Sequence, residues 1–193
     1  MEPVSAVSEA VSAPLRARWG AAPARASVTF LGVSPLDVLR FGPGDDGLVR
    51  YATVGCAETP MGDAAADVTD PVRGPRAELV LTVRGGVDGV LRALAVLAAT
   101  PAVEGLVLVA DALVDLGEPL WDGAAFTAVL LGPGDVPDLP LPEPADPVVF
   151  LAAVPVTATE AAWVRLRGAE ALREAWAEAG VDTTDPGRSA VSL

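Results

Sequence analysis

The sequence predicts an α+β fold: a central mixed β-sheet flanked by helices, in a single compact domain. Three observations carry this expectation. Apolar runs of strand length are interspersed with helical patterns, without the strict strand–helix repetition of an all-parallel sheet. Turn punctuation at Gly42-Pro43-Gly44-Asp45-Asp46-Gly47 and Gly132-Pro133-Gly134-Asp135 separates several of these runs. The stretch 147–188 then reads as a buried strand followed at once by a capped helix. A chain of 193 residues with 51% hydrophobic content and a mean hydropathy of +0.43 is long and apolar enough to bury one core.

Taken in order, residues 4–19 predict an amphipathic helix interrupted near Pro14, within a partly flexible segment 1–26. Residues 28–33 and 36–41 read as strands. After the Gly-rich turn, LVRYATV at 48–54 alternates well enough for a half-buried strand. Residues 55–76 lack periodicity and predict a long loop, and ELVLTV at 78–83 predicts a central strand. Residues 88–99 predict a helix whose apolar surface includes Val90, Leu91, Leu94, Val96 and Leu97. Residues 106–116 fit either a strand and turn or an irregular crossing. FTAVLL at 126–131 is a strand, and the Pro-rich 135–146 cannot sit inside a sheet. The last strand, 148–154, is expected to end at Pro155. Thr157 and Glu160 then form a capping box, opening a helix that runs through Gly168 to Gly180, the natural C′ glycine. Residues 27–188 constitute the domain, with 189–193 a flexible tail.

The residues that are missing exclude whole classes of chemistry. Without histidine there is no Ser-His-Asp or Cys-His pair and no imidazole metal ligand. Without lysine there is no Walker A loop, kinase lysine or Schiff base. The Asp pairs 45/46, 67/70 and 111/115 lack metal-loop spacing. Neither cofactor, metal nor catalytic residue is therefore expected. The single cysteine, Cys56, rules out an internal disulfide, has no basic neighbour to make it reactive, and fits a reducing, cytoplasmic compartment. No apolar run spans a bilayer, and the N-terminus lacks the pattern of a signal peptide. With 26 acidic against 13 basic residues the net charge is −13, which repels nucleic acid and anionic membranes and attracts basic partners. Solubility is the stronger explanation of that charge.

Several blocks, in this order and spacing, resemble the suppressor-of-fused domain family. They are Tyr51-Ala52-Thr53-Val54-Gly55, Pro60-Met61, Arg76-Ala77-Glu78-Leu79, the helix ending at Pro101, Pro119-Leu120-Trp121, 127–131, and the C-terminal strand, Pro-Val-Thr, acid, helix and Asp-Pro-Gly-Arg string ending at Arg188. The resemblance spans about Val33 to Arg188. It implies an α+β fold with a central mixed sheet and a non-enzymatic role in protein binding. Animal relatives restrain a transcription factor of the Hedgehog pathway, holding its peptide as an extended strand in a cleft between two lobes. This chain is similar to the N-terminal lobe alone, so Hedgehog signalling is not implied. Stand-alone bacterial members resemble immunity proteins that neutralise polymorphic toxins, many of them basic nucleases.

Pro119, Leu120, Trp121 and Asp122 are the candidate partner-binding residues, because a loop beside a sheet edge can present a ring and a carboxylate together. The competing reading, slightly stronger, has Trp121 plugging the core. Glu78 is a further candidate, either as a functional carboxylate or as a group that fixes a neighbouring loop. Trp163 and Trp176 read as packing residues, and Arg188 is expected to pair with a carboxylate near the C-terminus. Two alternatives to the binding module are a carboxylate-only hydrolase, which needs two acids facing across a cleft about 5–10 Å wide, and an intracellular regulatory adaptor.

Overall fold

Alternating apolar side chains build one seven-stranded sheet from β1 (Ala24–Val28), β2 (Leu36–Phe41), β3 (Leu48–Val54), β4 (Arg76–Arg84), β5 (Leu113–Asp115), β6 (Phe126–Pro133) and β7 (Val148–Thr157). Helices α1 (Ala6–Trp19), α2 (Val90–Glu104), α3 (Ala158–Arg167) and α4 (Ala169–Ala179) flank it. The computed structural model describes residues 5–62 and 70–193, and these counts refer to them. Strand order is β1-β2-β3-β4-β7-β6-β5. Two antiparallel blocks, β1 to β4 and β7-β6-β5, are joined by the parallel pair β4/β7. The sheet is mixed and the domain is α+β, as expected.

Successive residues of β7 face opposite sides, and this sorts the core. Leu151 and Ala153 join the cluster under α2, which includes Leu79, Leu81, Leu94 and Leu97. Val148 and Phe150 join α1's Val11 and Leu15 on the other face. Further along that face, Val156 meets Leu172 and Trp176 of the α3–α4 pair. The N-terminal helix is thus part of the core, since Val11 and Leu15 are wholly buried.

The structure corrects several expected boundaries. The first strand is 24–28 rather than 28–33: an edge strand needs few apolar residues, so ARASV gives little signal, and 29–35 are used as the connection to β2. Helix α1 passes through Pro14. Helix α2 continues past 99 and through Pro101. The amide that proline removes would have served the Leu97 carbonyl, which instead accepts from Thr100 Oγ1 at 2.7 Å. Gly132 and Pro133 belong to β6, opposite Ala152 and Leu151, rather than to a turn. Strand β7 runs on through Pro155, because β4 pairs with it only as far as Ala152 and a missing amide there costs no ladder bond on that side.

The single C-terminal helix is in fact two, broken at Gly168 with φ +88° and ψ 168°, a conformation that essentially only glycine adopts. Residues 106–116 are an irregular crossing that ends in the three-residue β5. The tail, expected to be flexible, is tied down by buried Val191. The expected helix start at Val4 and part of the 55–76 loop, with Asp67, lie outside the described residues.

Candidate functional site

Beyond β5 the chain folds back on β6 through Leu116 N–H to Thr127 O at 3.0 Å and Leu120 N–H to Phe126 O at 2.9 Å. The intervening turn closes with Ala124 N–H donating to Trp121 O. These bonds hold a turn in which the consecutive Leu120 and Trp121 both point inward, at 5% and 7% exposure, while Pro119 and Asp122 stay outside. Trp121 meets Phe126 edge-to-face, with ring centroids 5.7 Å apart. Leu120 and Trp121 are therefore core residues and not exposed anchors. An indole buried under the loop shields far more apolar area than one left in solvent.

Opposite this turn lies the start of α2, and between them is a groove of about 550 Å³. Trp121 and Val96 contribute to its lining, with Glu118 and Asp122 on the loop side and Arg92 on the helix side. Gly89 makes the close approach possible: a Cβ there would lie 2.8 Å from Trp121 Cβ, and its φ is +91°. The sequence singled out Pro119 to Asp122 as candidates; the structure places Glu118 and Arg92 beside them on the same groove. Glu118 directly precedes the 119–122 motif, whereas Arg92 lies far from it in sequence and reaches the groove only through the packing of α2.

Glu78 lies elsewhere and is wholly buried, so it offers no partner surface. Its carboxylate accepts from Thr53 Oγ1 at 2.6 Å, Gly55 N–H at 2.9 Å and Ala57 N–H at 3.0 Å. Burial raises its pKa, and these donors offset only part of that effect. Arg76, two residues earlier on the same strand face, donates to the carbonyls of Ala57 and Glu58. The two side chains hold the Cys56–Glu58 3-10 turn from both ends, and Glu78 thus takes the loop-fixing role. Burial and the Glu78 carboxylate push the Cys56 thiol well up, keeping it protonated.

Glu160 caps α3 as the spacing required, with both capping-box bonds present. It also accepts from Trp176 Nε1 and Val191 N–H, and it pairs with Arg188. Burial works to raise its pKa, but the donors from Arg188, Trp176, Thr157 and Val191 prevail and lower it. Arg188 finds its carboxylate at the head of α3 and not near the C-terminus. Among the described residues, no three His, Cys, Asp or Glu side chains converge as metal ligands. No helix among them is long and apolar enough to cross a membrane.

Residues 32–189 match the family model described as Suppressor of fused protein (SUFU). The chain belongs to the suppressor-of-fused family. Its fold is similar to that of a SUFU homolog from Neisseria gonorrhoeae, with a TM-score of 0.70, 20% identity and 97% of each chain covered. A chain of the Sufu–Fu complex gives 0.67 at 11% identity, covering 96% of this chain and 90% of that one. Drosophila Suppressor of Fused gives 0.65 at 12% identity, and this chain covers only 50% of its length. No curated protein matches by sequence. Coverage of 97% extends the structural likeness beyond residues 32–189, toward the N-terminal helix.

Proposed function

We propose that this suppressor-of-fused member is a non-enzymatic binding module that holds a basic protein partner, of the toxin-neutralising kind, by occlusion. The observation that carries this reading is the groove between α2 and the 116–123 turn. There Glu118 and Asp122 stand exposed above a floor fixed by Trp121 and Phe126. A rigid apolar floor with a charged rim is the arrangement of a protein contact, and the net charge of −13 selects for a basic partner. Family membership supports protein binding, and a relative of similar fold occurs in a Sufu–Fu complex. The two wholly buried carboxylates, Glu78 and Glu160, are each saturated by hydrogen bonds in separate networks, which argues against a carboxylate-only hydrolase. A single cysteine, Cys56, with no partner for an internal disulfide, is in keeping with a reducing cytoplasm as the place of action.

The test is capture by tagged protein from its native lysate, comparing wild type with Glu118→Lys/Asp122→Lys. A stoichiometric basic partner should be retained by wild type, lost by the folded variant, and toxic to cells unless this chain is co-expressed. Equal capture by both proteins overturns the groove. A captured partner whose toxicity is unrelieved overturns neutralisation in favour of an adaptor role.

A further inference from the structure

A second recess, of about 220 Å³, lies at the opposite end of α2. The two depressions share no lining residue: α2 gives Arg92, Ala93 and Val96 to the groove, and Ala98, Pro101 and Ala102 to this recess. Its walls are the β1–β2 connection, the chain from Gly55 to Gly62, and the last turns of α2. Buried Leu36, Met61 and Ala98 supply apolar lining, while Ser34 and Thr59 add hydroxyls. Among the described lining residues Glu58 carries the sole charge.

Three features distinguish this recess from an ordinary surface dent. The turn that presents Glu58 is held by two buried charged side chains of β4, Arg76 on its carbonyls and Glu78 on its amides. Its flanks in the chain carry unusual apolar exposure: Leu31 is 105% exposed, Val103 62% and Leu106 40%. A volume of 220 Å³ is below the roughly 300–1,000 Å³ of small-molecule pockets but adequate for one long side chain. Exposed apolar residues beside a polar-mouthed hole fit a protein contact that excludes water around one anchored residue.

We propose that this recess takes an arginine side chain from an apolar segment of a protein partner. The stem would lie on Leu36, Met61 and Ala98, as arginine stems do on apolar surfaces. The guanidinium would meet Glu58 Oε2, since Oε1 already accepts from Ser8 Oγ of α1, together with the Ser34 and Thr59 hydroxyls, its planar fork giving charge-assisted bonds. Leu31 and Val103 would close over the neighbouring apolar residue. Glu58, the one charged group among the described lining residues, and the chain's net charge of −13 favour a cation over an anion. This inference rests on the protein-binding reading but not on the groove at Trp121.

The experiment is an amide NMR titration of the full chain with N-acetyl-Leu-Arg-amide, against its Leu-Gln counterpart. Saturable shifts are expected around Gly55, Ala57 and Met61 with the arginine peptide only. Glu58→Gln should weaken binding about tenfold, the equivalent of one charged hydrogen bond. Because Glu58 also accepts from Ser8 Oγ at 2.7 Å, Ser8→Ala is the control, and it should leave affinity unchanged. Leu31→Ser, at a fully exposed position, should weaken binding about threefold from lost apolar contact without disturbing the fold. Shifts confined to 116–123, shifts that never saturate, or an affinity indifferent to Glu58→Gln and Leu31→Ser overturn the proposal. Partner capture through Glu118 and Asp122 with no peptide at the recess overturns this inference alone. A recess that binds peptide in a protein that captures no partner overturns the groove reading instead.

Discussion

Arg188 and Glu160 form a fully buried two-pronged pair, with Nη1 2.7 Å from Oε1 and Nη2 3.0 Å from Oε2. The guanidinium also lies 5.0 Å from the Phe126 ring centroid and 5.3 Å from that of Trp176. Since Phe126 packs on Trp121, one contiguous set of contacts runs from the buried ion pair to the groove floor. The capping box of α3, the indole of α4 and the C-terminal tail all converge on the same carboxylate.

Breaking that pair from one side should be costly. Arg188→Met removes the cation and leaves Glu160 buried, an uncompensated charge worth about 3–5 kcal/mol. Urea denaturation at neutral pH should read a loss of that size. Glu160's lowered pKa fixes the sign of its pH dependence. Its stabilising contribution is fully present above the ordinary glutamate value of about 4.3 and is lost as pH falls through the folded value. Wild type should therefore lose stability in acid, and Arg188→Met should lose less over the same range.

Glu78 should show the opposite sign. Its folded pKa is raised, so its contribution is fully present below the ordinary value of about 4.3 and is lost as pH rises through the folded value. Glu78→Gln keeps an acceptor for the Gly55 and Ala57 amides and can donate to Thr53 Oγ1 in place of the reverse bond. Its stability relative to wild type should increase as pH rises from about 4.3 toward neutrality. A gap that stays constant or shrinks over that range would falsify the assignment. Glu78→Ala, by contrast, leaves two buried amides without a partner and should cost about 1–3 kcal/mol for each.

If the groove is the binding surface proposed above, fold and recognition should separate at adjacent positions. Trp121→Ala empties a core site under the loop and should cost about 3–5 kcal/mol. Asp122→Lys touches only an exposed side chain and should stay within about 0.5 kcal/mol of wild type. Thermal melts of the two variants check this directly. A stable Trp121→Ala would mean that the indole is not the floor described here.

The inner strands were legible from apolar runs at 78–83, 126–131 and 148–154 and from alternation at 48–54; these, with 36–41, all lie within observed strands. The capping box was legible because its two bonds are local to Thr157 and Glu160. What failed depends on distant partners. ARASV becomes a strand only by pairing with β2, and Pro155 is tolerated only because β4 has already parted from β7. For the candidate site, the sequence singled out the 119–122 turn and slightly favoured a core place for Trp121, but it did not separate inward Leu120 from outward Pro119 and Asp122. That choice follows from Leu120 N–H bonding to Phe126 O, a register no local pattern encodes. Arg188's partner, 28 residues earlier, was equally out of reach.

Gly89 sets the distance between the two walls of the groove, and its replacement should test groove and floor together. Alanine there brings a Cβ within 2.8 Å of Trp121 Cβ, with backbone rather than a flexible side-chain end behind the contact. The φ of +91° adds strain for any L side chain, of order 1–3 kcal/mol. Gly89→Ala should therefore lower the denaturation midpoint and expose Trp121, seen as a shift of tryptophan emission to longer wavelength. Partner capture should fall even though Glu118 and Asp122 are unchanged, because the loop that carries them is displaced from α2. A variant with wild-type stability and emission but normal capture would show that the helix start and the turn are not rigidly coupled. The groove would then owe its shape to the β5–β6 pairing alone.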